Sequence, residues 1–423
     1  MVKIRPFKAY LANKSLAKQI LAPEYDVISS SEARVIAQGN PYSFLRVNKP
    51  EIDVPEGIDP YSQQVYQTGK RNLLKFISQG WLTRDQQSRF YVYSQTMEGR
   101  TQYGLVAASS IEDYENDKIK KHEKTLPSKE KDRTELIDAQ NANIGPVFLT
   151  YKGGDAITHQ VSEITKKTDP YQTVISEDNI THTLWQVDHG VNKFFEDEFT
   201  KLDCTYVADG HHRSAASYNV GKMRRELALK KHGHITGNED FNYFMSIIYP
   251  AEQLQIMDYN RVLKSLNGLS ATEFMNRLME YYDVQVHTDQ NLNNIKPKEK
   301  HTCSLYLRGD KWYQCKLKNK FLQTNDPVKS LDVQLLNDLV LDNILGIKDV
   351  RTDKRIDFVG GIRGLKELEK RCNDDCLAAF AMYPVQINDL LTVADSGAIM
   401  PPKSTWFEPK PRAGFIVRML GDN

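Results

Sequence analysis

The segment TYVADGHHRSAASYNVGKM, from Thr205 to Met223, constrains this chain more than any other. Residues 204–208 are short and β-prone, and from Ala215 onward apolar side chains (Ala215, Ala216, Val220, Met223, Leu227) recur at helical spacing. A strand must therefore run straight into a helix, with Gly210 at the turn. Glycine lacks a Cβ, so the backbone there can approach a ligand closely. The first N–H groups of a helix, here near His211 to Ser214, have no intrahelical acceptor and lie at the positive end of its dipole. Such a corner is an anion site by construction. Arg213 can add a bidentate fork, His211 and His212 further donors, and Asp209 a carboxylate that holds Mg²⁺ or orients an imidazole. Taken singly, each residue has a plainer reading: an acid capping a helix, histidines on a solvated face. Five polar residues converging on one corner favour a site. No G-x-x-x-x-G-K-[ST] and no G-x-G-x-x-G after a strand occurs, so the cradle is neither a Walker loop nor a dinucleotide fingerprint.

Composition narrows the partners. The 423 residues predict two or three domains. The 56 Lys plus Arg against 55 Asp plus Glu leave a net charge of +1, with no global field to attract nucleic acid or an anionic membrane. Five cysteines (Cys204, Cys303, Cys315, Cys372, Cys376) form no C-x-x-C pair, which predicts free thiols in a reducing compartment and no zinc. The basic start lacks the apolar core of a secretory signal, and CLAAFAMYPV is too short to span a bilayer, so the expected location is the cytoplasm.

Short β-rich runs alternate with helical stretches, the pattern of a mixed α/β (α+β) fold. Arg89 to Ser110 predicts a hairpin turning at Glu98-Gly99, and IGPVFLTYKGG, LWQVDH, CTYVAD and FMSIIYP predict strands. Tyr61–Gln79 and Ala215–Lys230 read as helices. Near Tyr259 to His287 the texture changes to a long amphipathic helix, with Ser270 as N-cap and Glu273 three residues on. A domain boundary is placed there, giving residues 1–258 and 259–423. Thr302 to Lys318 predicts a second hairpin around Gly309-Asp310, and the Pro-rich tail, with Lys403, Ser404 and Trp406, a surface loop or a lid.

Asp209-Gly210-His211-His212-Arg213 resembles the phosphate-binding motif of the ParB/sulfiredoxin-like superfamily, in particular the free serine kinases. End to end the chain resembles the DUF1015 family, through PEYDVISSSEA, GNPYSFLRV, KHEKTLPSKEKDR, DAQNANIGPVFLTY, ADGHHRSAA, YNRVLKSLNGL and MPPKSTWFEPKPR. The resemblance implies a ParB/sulfiredoxin-like core with N-terminal additions in residues 1–258 and a smaller C-terminal α/β domain. Sulfiredoxin-like enzymes need a cysteine where His211 stands, and ParB-type proteins carry a DNA-reading helix-turn-helix that this near-neutral chain lacks.

What the resemblance implies is phosphoryl transfer from ATP or ADP, with Mg²⁺, to free L-serine, giving O-phospho-L-serine. Glu123 matches the kinases' catalytic glutamate in order along the chain, with Glu130 as its competitor for the base; Asp209 and His212 complete the catalytic set. Gly210, His211, His212, Arg213 and Ser214 are the expected nucleotide-binding residues. In the charged run Lys118 to Pro146, which reads equally as a solvated face, Lys124, Lys129 and above all Arg133 can neutralise phosphate. Tyr25, Asp26 and Asn141 are the substrate-binding candidates, with Asn143 beside them; Asn40, Tyr42 and Ser43 share with Tyr25 and Asp26 a second reading as structural turns. Two other functions use the same cradle: a nucleotide hydrolase or phosphatase, and a non-catalytic ParB-like nucleotide sensor. Donor identity and the choice between monomer and homo-oligomer are open at this level.

Overall fold

A computed structural model describes every residue except Gln290, Asp310, Gln323, Asp422 and Asn423. The fold is mixed α/β, and the chain divides into two compact units. The first comprises residues 1–121, 125–254 and 409–423; the second comprises residues 122–124 and 255–408. The division expected at 258/259 therefore falls four residues earlier, at 254/255, and is not sequential: the last segment returns to the first unit, where Ile416–Met419 pairs with Tyr10–Ala12 and Ala142–Asn143.

The first unit is built on a nine-stranded sheet. Its strand order is Ile119–Lys120, Thr205–Asp209, Val147–Tyr151, Tyr243–Pro250, Arg100–Ser110, Tyr91–Met97, Thr181–Gln186, Gln172–Ile175, with Ile4–Arg5 paired to Arg100–Ser110. The hairpin at Glu98-Gly99 forms as expected, both residues taking positive φ (52° and 78°), which matches the right-handed twist of the flanking strands. The central strands read as near-continuous apolar runs because helices and loops cover both faces; Leu105, Ala107, Leu149, Val207 and Phe244 are 0–1% exposed.

Two helices position the corner at residue 210. Pro127–Gln140 has proline at its first turn, where the missing N–H costs nothing, and ends in the left-handed Asn141. His211–His232 starts from Gly210 and ends at the left-handed Gly233. Contacts between them run in step: Leu126 with His212, Glu130 with Asn219, Asp138 with Arg224. The helices are therefore parallel, with both N-termini at one end, and Ile137, Ala216, Val220 and Leu420 form the apolar seam.

The second unit holds a six-stranded antiparallel sheet, ordered Tyr282–Val286, Trp312–Leu317, Thr302–Leu307, Ala378–Met382, Tyr259–Leu263, Ile356–Gly360. The Ser270/Glu273 capping box is present, but its helix spans only Ala271–Tyr281. The helix expected to start from the Ser270 cap does so but ends early: Tyr282–Val286 is a strand, as is Tyr259–Leu263 ahead of the cap, because sheet partners satisfy their backbone groups. The hairpin Thr302 to Lys318 forms around Gly309, and Asp310 lies outside the described residues. Trp406–Glu408, in the tail expected to be a loop, is a strand paired with Gln255–Met257.

One buried group gives the first unit a pH dependence. His182 is 0% exposed, its Nδ1 2.7 Å from the Tyr93 hydroxyl and its Nε2 3.1 Å from Ser176 Oγ. Burial, helped by Arg412, lowers its pKa from 6.5 to about 3. A lowered folded-state value contributes stability above pH 6.5 that is lost as the pH falls from 6.5 towards 3, with a limiting slope of about 1.4 kcal/mol per pH unit. Denaturant midpoints measured between pH 7 and pH 4 should fall more steeply for the wild type than for His182→Gln; parallel curves would remove this contribution.

Candidate functional site

The corner at residue 210 is built as the local sequence requires. Thr205–Asp209 ends in a bulge, its register against Val147–Tyr151 shifting between Val207 and Asp209. A bulge at a strand end bends the chain and re-aims the side chain beyond it. Gly210 then takes φ 90°, ψ 33°, and no side chain caps the helix that starts at His211. The Ser214 N–H bonds the Gly210 carbonyl at 2.9 Å, the first bond of the helical ladder, so the three preceding N–H groups are the ones the ladder leaves over.

His212 carries the most informative contact. Its Nε2 accepts the backbone N–H of Leu126 at 3.0 Å, so that nitrogen is unprotonated and a neutral ring carries its proton on Nδ1. Leu126 is the N-cap of Pro127–Gln140. The bond thus joins the starts of two parallel helices and brings two positive dipole ends to one place, each equivalent to roughly half a charge.

Asp209 closes the corner on its other side. Its Oδ1 accepts the Gly210 N–H at 2.7 Å and its Oδ2 pairs with Lys410 Nζ. An uncompensated carboxylate here would repel an incoming anion; the ammonium removes that repulsion. Arg213 is the third charged element. It is 7% exposed, and its Nη1 donates to Glu24 Oε1 at 2.6 Å and to the Pro146 carbonyl at 3.1 Å. Burial pushes the Glu24 carboxyl above its usual range, Arg213 and Lys410 oppose the shift, and Asp26 adds to it. Tyr25 lies against both guanidiniums, its ring centroid 4.2 Å from Arg133 Cζ and 5.3 Å from Arg213 Cζ, and burial raises its hydroxyl pKa.

The structure thus gathers Asp209 to Ser214, Tyr25 and Arg133 into one neighbourhood, but several play other parts than expected. Ser214 is 0% exposed and turns its hydroxyl onto the carbonyls of His211 (3.0 Å) and Gly210 (3.3 Å). Arg133 spends Nε and Nη2 on Asp132 and Nη1 on the Asn48 carbonyl. Asp26 is exposed. Asn141 is not at the corner. It caps the far end of Pro127–Gln140, about 20 Å along the axis at 1.5 Å per residue, held by Gly421 and Arg224. Glu130, the alternative base, has both oxygens occupied, by Thr125 Oγ1 at 2.6 Å and Asn219 Nδ2 at 2.7 Å. Glu123 belongs to the second unit, where it lines a cleft of about 470 Å³ with Lys124, Asn337, Asp338 and Arg351. Among the tail residues expected to form a loop or lid, Lys403 lies over the Tyr259 ring and Ser404 is buried, both within the second unit.

Sequence reasoning does not single out Glu24 and Lys410. Both stand in charged, Pro-flanked segments, PEYD and EPKPR, and a charged residue beside proline at a predicted turn is the available signal.

The sequence profile of the DUF1015 family, described as proteins of unknown function, matches residues 4–334, and the chain belongs to that family. No protein of curated function matches it. Among solved structures it is similar to a conserved hypothetical protein from Pyrococcus furiosus (16% identity, 72% of this chain and 90% of that one, TM-score 0.32). It is also similar to a free serine kinase in complex with AMP (12%, 72% and 86%, 0.32) and to C-terminally truncated SbnI from Staphylococcus aureus (13%, 75% and 90%, 0.37). No helix among the described residues is long and apolar enough to cross a membrane.

The turn makes a testable demand. A Cβ at Gly210 would meet nothing closer than Val147 Cα at 3.6 Å, so space is not limiting and the positive φ is. Gly210→Ala should cost about 1–2 kcal/mol in denaturant unfolding and Gly210→Asn less, because asparagine tolerates left-handed backbone better. Equal losses for the two would refute the backbone account.

Proposed function

We propose that this protein is a nucleotide-dependent phosphotransferase that passes a phosphoryl group from ATP or ADP to the hydroxyl of free L-serine. The observation that carries the proposal is the meeting of two helix N-termini at His212, above an uncapped first turn that starts from a left-handed glycine. Phosphoryl transfer asks a protein mainly for positioning and charge stabilisation, and this corner supplies oriented N–H donors and positive potential without rearrangement. Serine as the acceptor, and the placing of the chain in the ParB/sulfiredoxin-like superfamily, rest on the resemblance of the D-G-H-H-R motif to the free serine kinases.

In this reading the N–H groups of residues 211–213 hold phosphate oxygens, His212 donates from Nδ1 while Nε2 stays on Leu126, and Lys410 balances the negative charge gathered at Asp209. Asp209 is the residue that would hold an Mg²⁺ ion brought in by the nucleotide, beside the Lys410 ammonium that its carboxylate already accepts. There it would neutralise charge on the transferring group. Glu123 is assigned as the acceptor of the serine proton from its order in the chain. Arg213 and Arg133, tied to Glu24 and Asp132, hold the wall behind the turn.

The test is to incubate the pure protein with ATP or ADP, Mg²⁺ and a panel of amino acids, following nucleotide loss and product mass. Serine-dependent turnover yielding phosphoserine is expected. Turnover indifferent to any acceptor would mean a hydrolase, and tight nucleotide binding without turnover a sensor; either overturns the kinase reading. Glu123→Gln should abolish transfer while leaving the nucleotide Kd within about twofold, since it removes only the proton acceptor.

Lys410 gives an independent check. Lys410→Met leaves the Asp209 carboxylate uncompensated beside the phosphate site. Nucleotide binding by calorimetry should weaken by at least about tenfold, with affinity partly restored in Asp209→Asn/Lys410→Met, where the charge is gone from both sides. A single variant with unchanged affinity would take Lys410 out of the site.

A further inference from the structure

Behind the turn at Gly210 lies a small cavity of about 20 Å³, lined by Leu136, Ile144, Val147 and other apolar residues and by Tyr25, Asn48, Arg133, Asn143, Arg213 and Ser217. That volume holds one group of about the size of a water molecule. Two of these side chains leave a buried donor without a partner among the described residues: Arg213 Nη2, on a side chain 9% exposed, and Asn48 Nδ2, on a residue 2% exposed. Buried donors without acceptors are rare, because each costs about 1–3 kcal/mol, and more when charged.

Neighbouring acceptors are already in use. Asn143 Oδ1 takes the Met245 N–H at 3.1 Å and Arg418 at 3.4 Å; the Asn48 carbonyl takes Arg133; Glu24 and the Pro146 carbonyl take the other arm of Arg213. Ser217 Oγ accepts from Asn143 Nδ2 at 3.4 Å, which leaves its own proton to be donated. The cavity therefore gathers a guanidinium N–H, an amide N–H and a hydroxyl proton, three donors that one acceptor-only occupant answers together. We propose that this cavity is a binding site for a single monatomic anion of chloride size, held by Arg213, Asn48 and Ser217.

Such a site is independent of any phosphotransfer at the other side of the turn, and it has a physical consequence there. Arg213 is the third residue of the helix, and Gly145 leaves the backbone close against the guanidinium, where an added Cβ would come within 3.2 Å of Cζ. A bound anion completes the shell of this arginine and holds the first helical turn in place.

The direct test is a crystal of the full chain soaked in sodium bromide, with data collected at the bromine absorption edge. An anomalous peak in contact with Arg213 Nη2 and Asn48 Nδ2 is expected. Light-atom density there without anomalous signal would mean a water, and an empty cavity with the Asn48 amide reversed so that Oδ1 meets Arg213 would mean direct pairing; each overturns the proposal. In solution, exchanging gluconate for chloride at fixed ionic strength should raise the melting temperature of the wild type by about 2 °C and that of Asn48→Leu by less than half as much. No chloride response in the wild type, or an equal response in both, would also overturn it. Should Asn48→Leu fail to fold, the bromide experiment on the wild type decides alone.

Discussion

A single hydrogen bond, from the backbone N–H of Leu126 to Nε2 of His212, sets the character of the first unit. Parallel helices side by side align their dipoles unfavourably, and their exposed positive ends repel. The arrangement persists because the seam of Ile137, Ala216 and Val220 is buried and because lateral pairs, Glu130 with Asn219 and Asp138 with Arg224, lock the register. The remaining positive potential at the N-termini is a stored preference for an anion, created by packing and available for binding.

Around that preference the chain arranges compensating charges in layers. Asp209 is answered by Lys410, Arg213 by Glu24, and Arg133 by Asp132, with Tyr25 lying against the two buried guanidiniums. Burying such pairs is worth little in net stability, since desolvation cancels most of the attraction. Their effect is on position: a guanidinium clamped by a carboxylate on one side and a backbone carbonyl on the other cannot leave the floor of the turn. Arg213 and Arg133, the two arginines expected to bind phosphate, are engaged by Glu24 and Asp132 and by the Pro146 and Asn48 carbonyls.

How much of this is legible in the sequence depends on separation along the chain. The Gly210 corner can be read because strand, turn and helix are contiguous and their propensities agree, and so can the Ser270/Glu273 box, a device spanning four residues. The far end of the helix that starts at Ser270 is less legible, because its neighbour there is distant in the chain. YDVQV alternates apolar and polar residues, a strand period that directly follows a helical run, and pairing with Trp312–Leu317 fixes it as a strand. Asn141 qualifies as a site residue only by its neighbours in sequence; its left-handed backbone and its bonds to Gly421 and Arg224 identify a helix cap instead.

The order of residues sets the chemistry open to this protein: a glycine where the backbone must turn left-handed, imidazoles and a guanidinium on the next turn, and a family whose motifs run through most of the chain. Which charges meet depends on the folded chain. Glu24 reaches Arg213 across 189 residues and Lys410 reaches Asp209 across 201, separations at which local preference says nothing and the closing of the sheets says everything. Local rules act through bonds between near neighbours and are written in the order of residues. Electrostatic pairing acts through space, and the chain has to fold before that space exists.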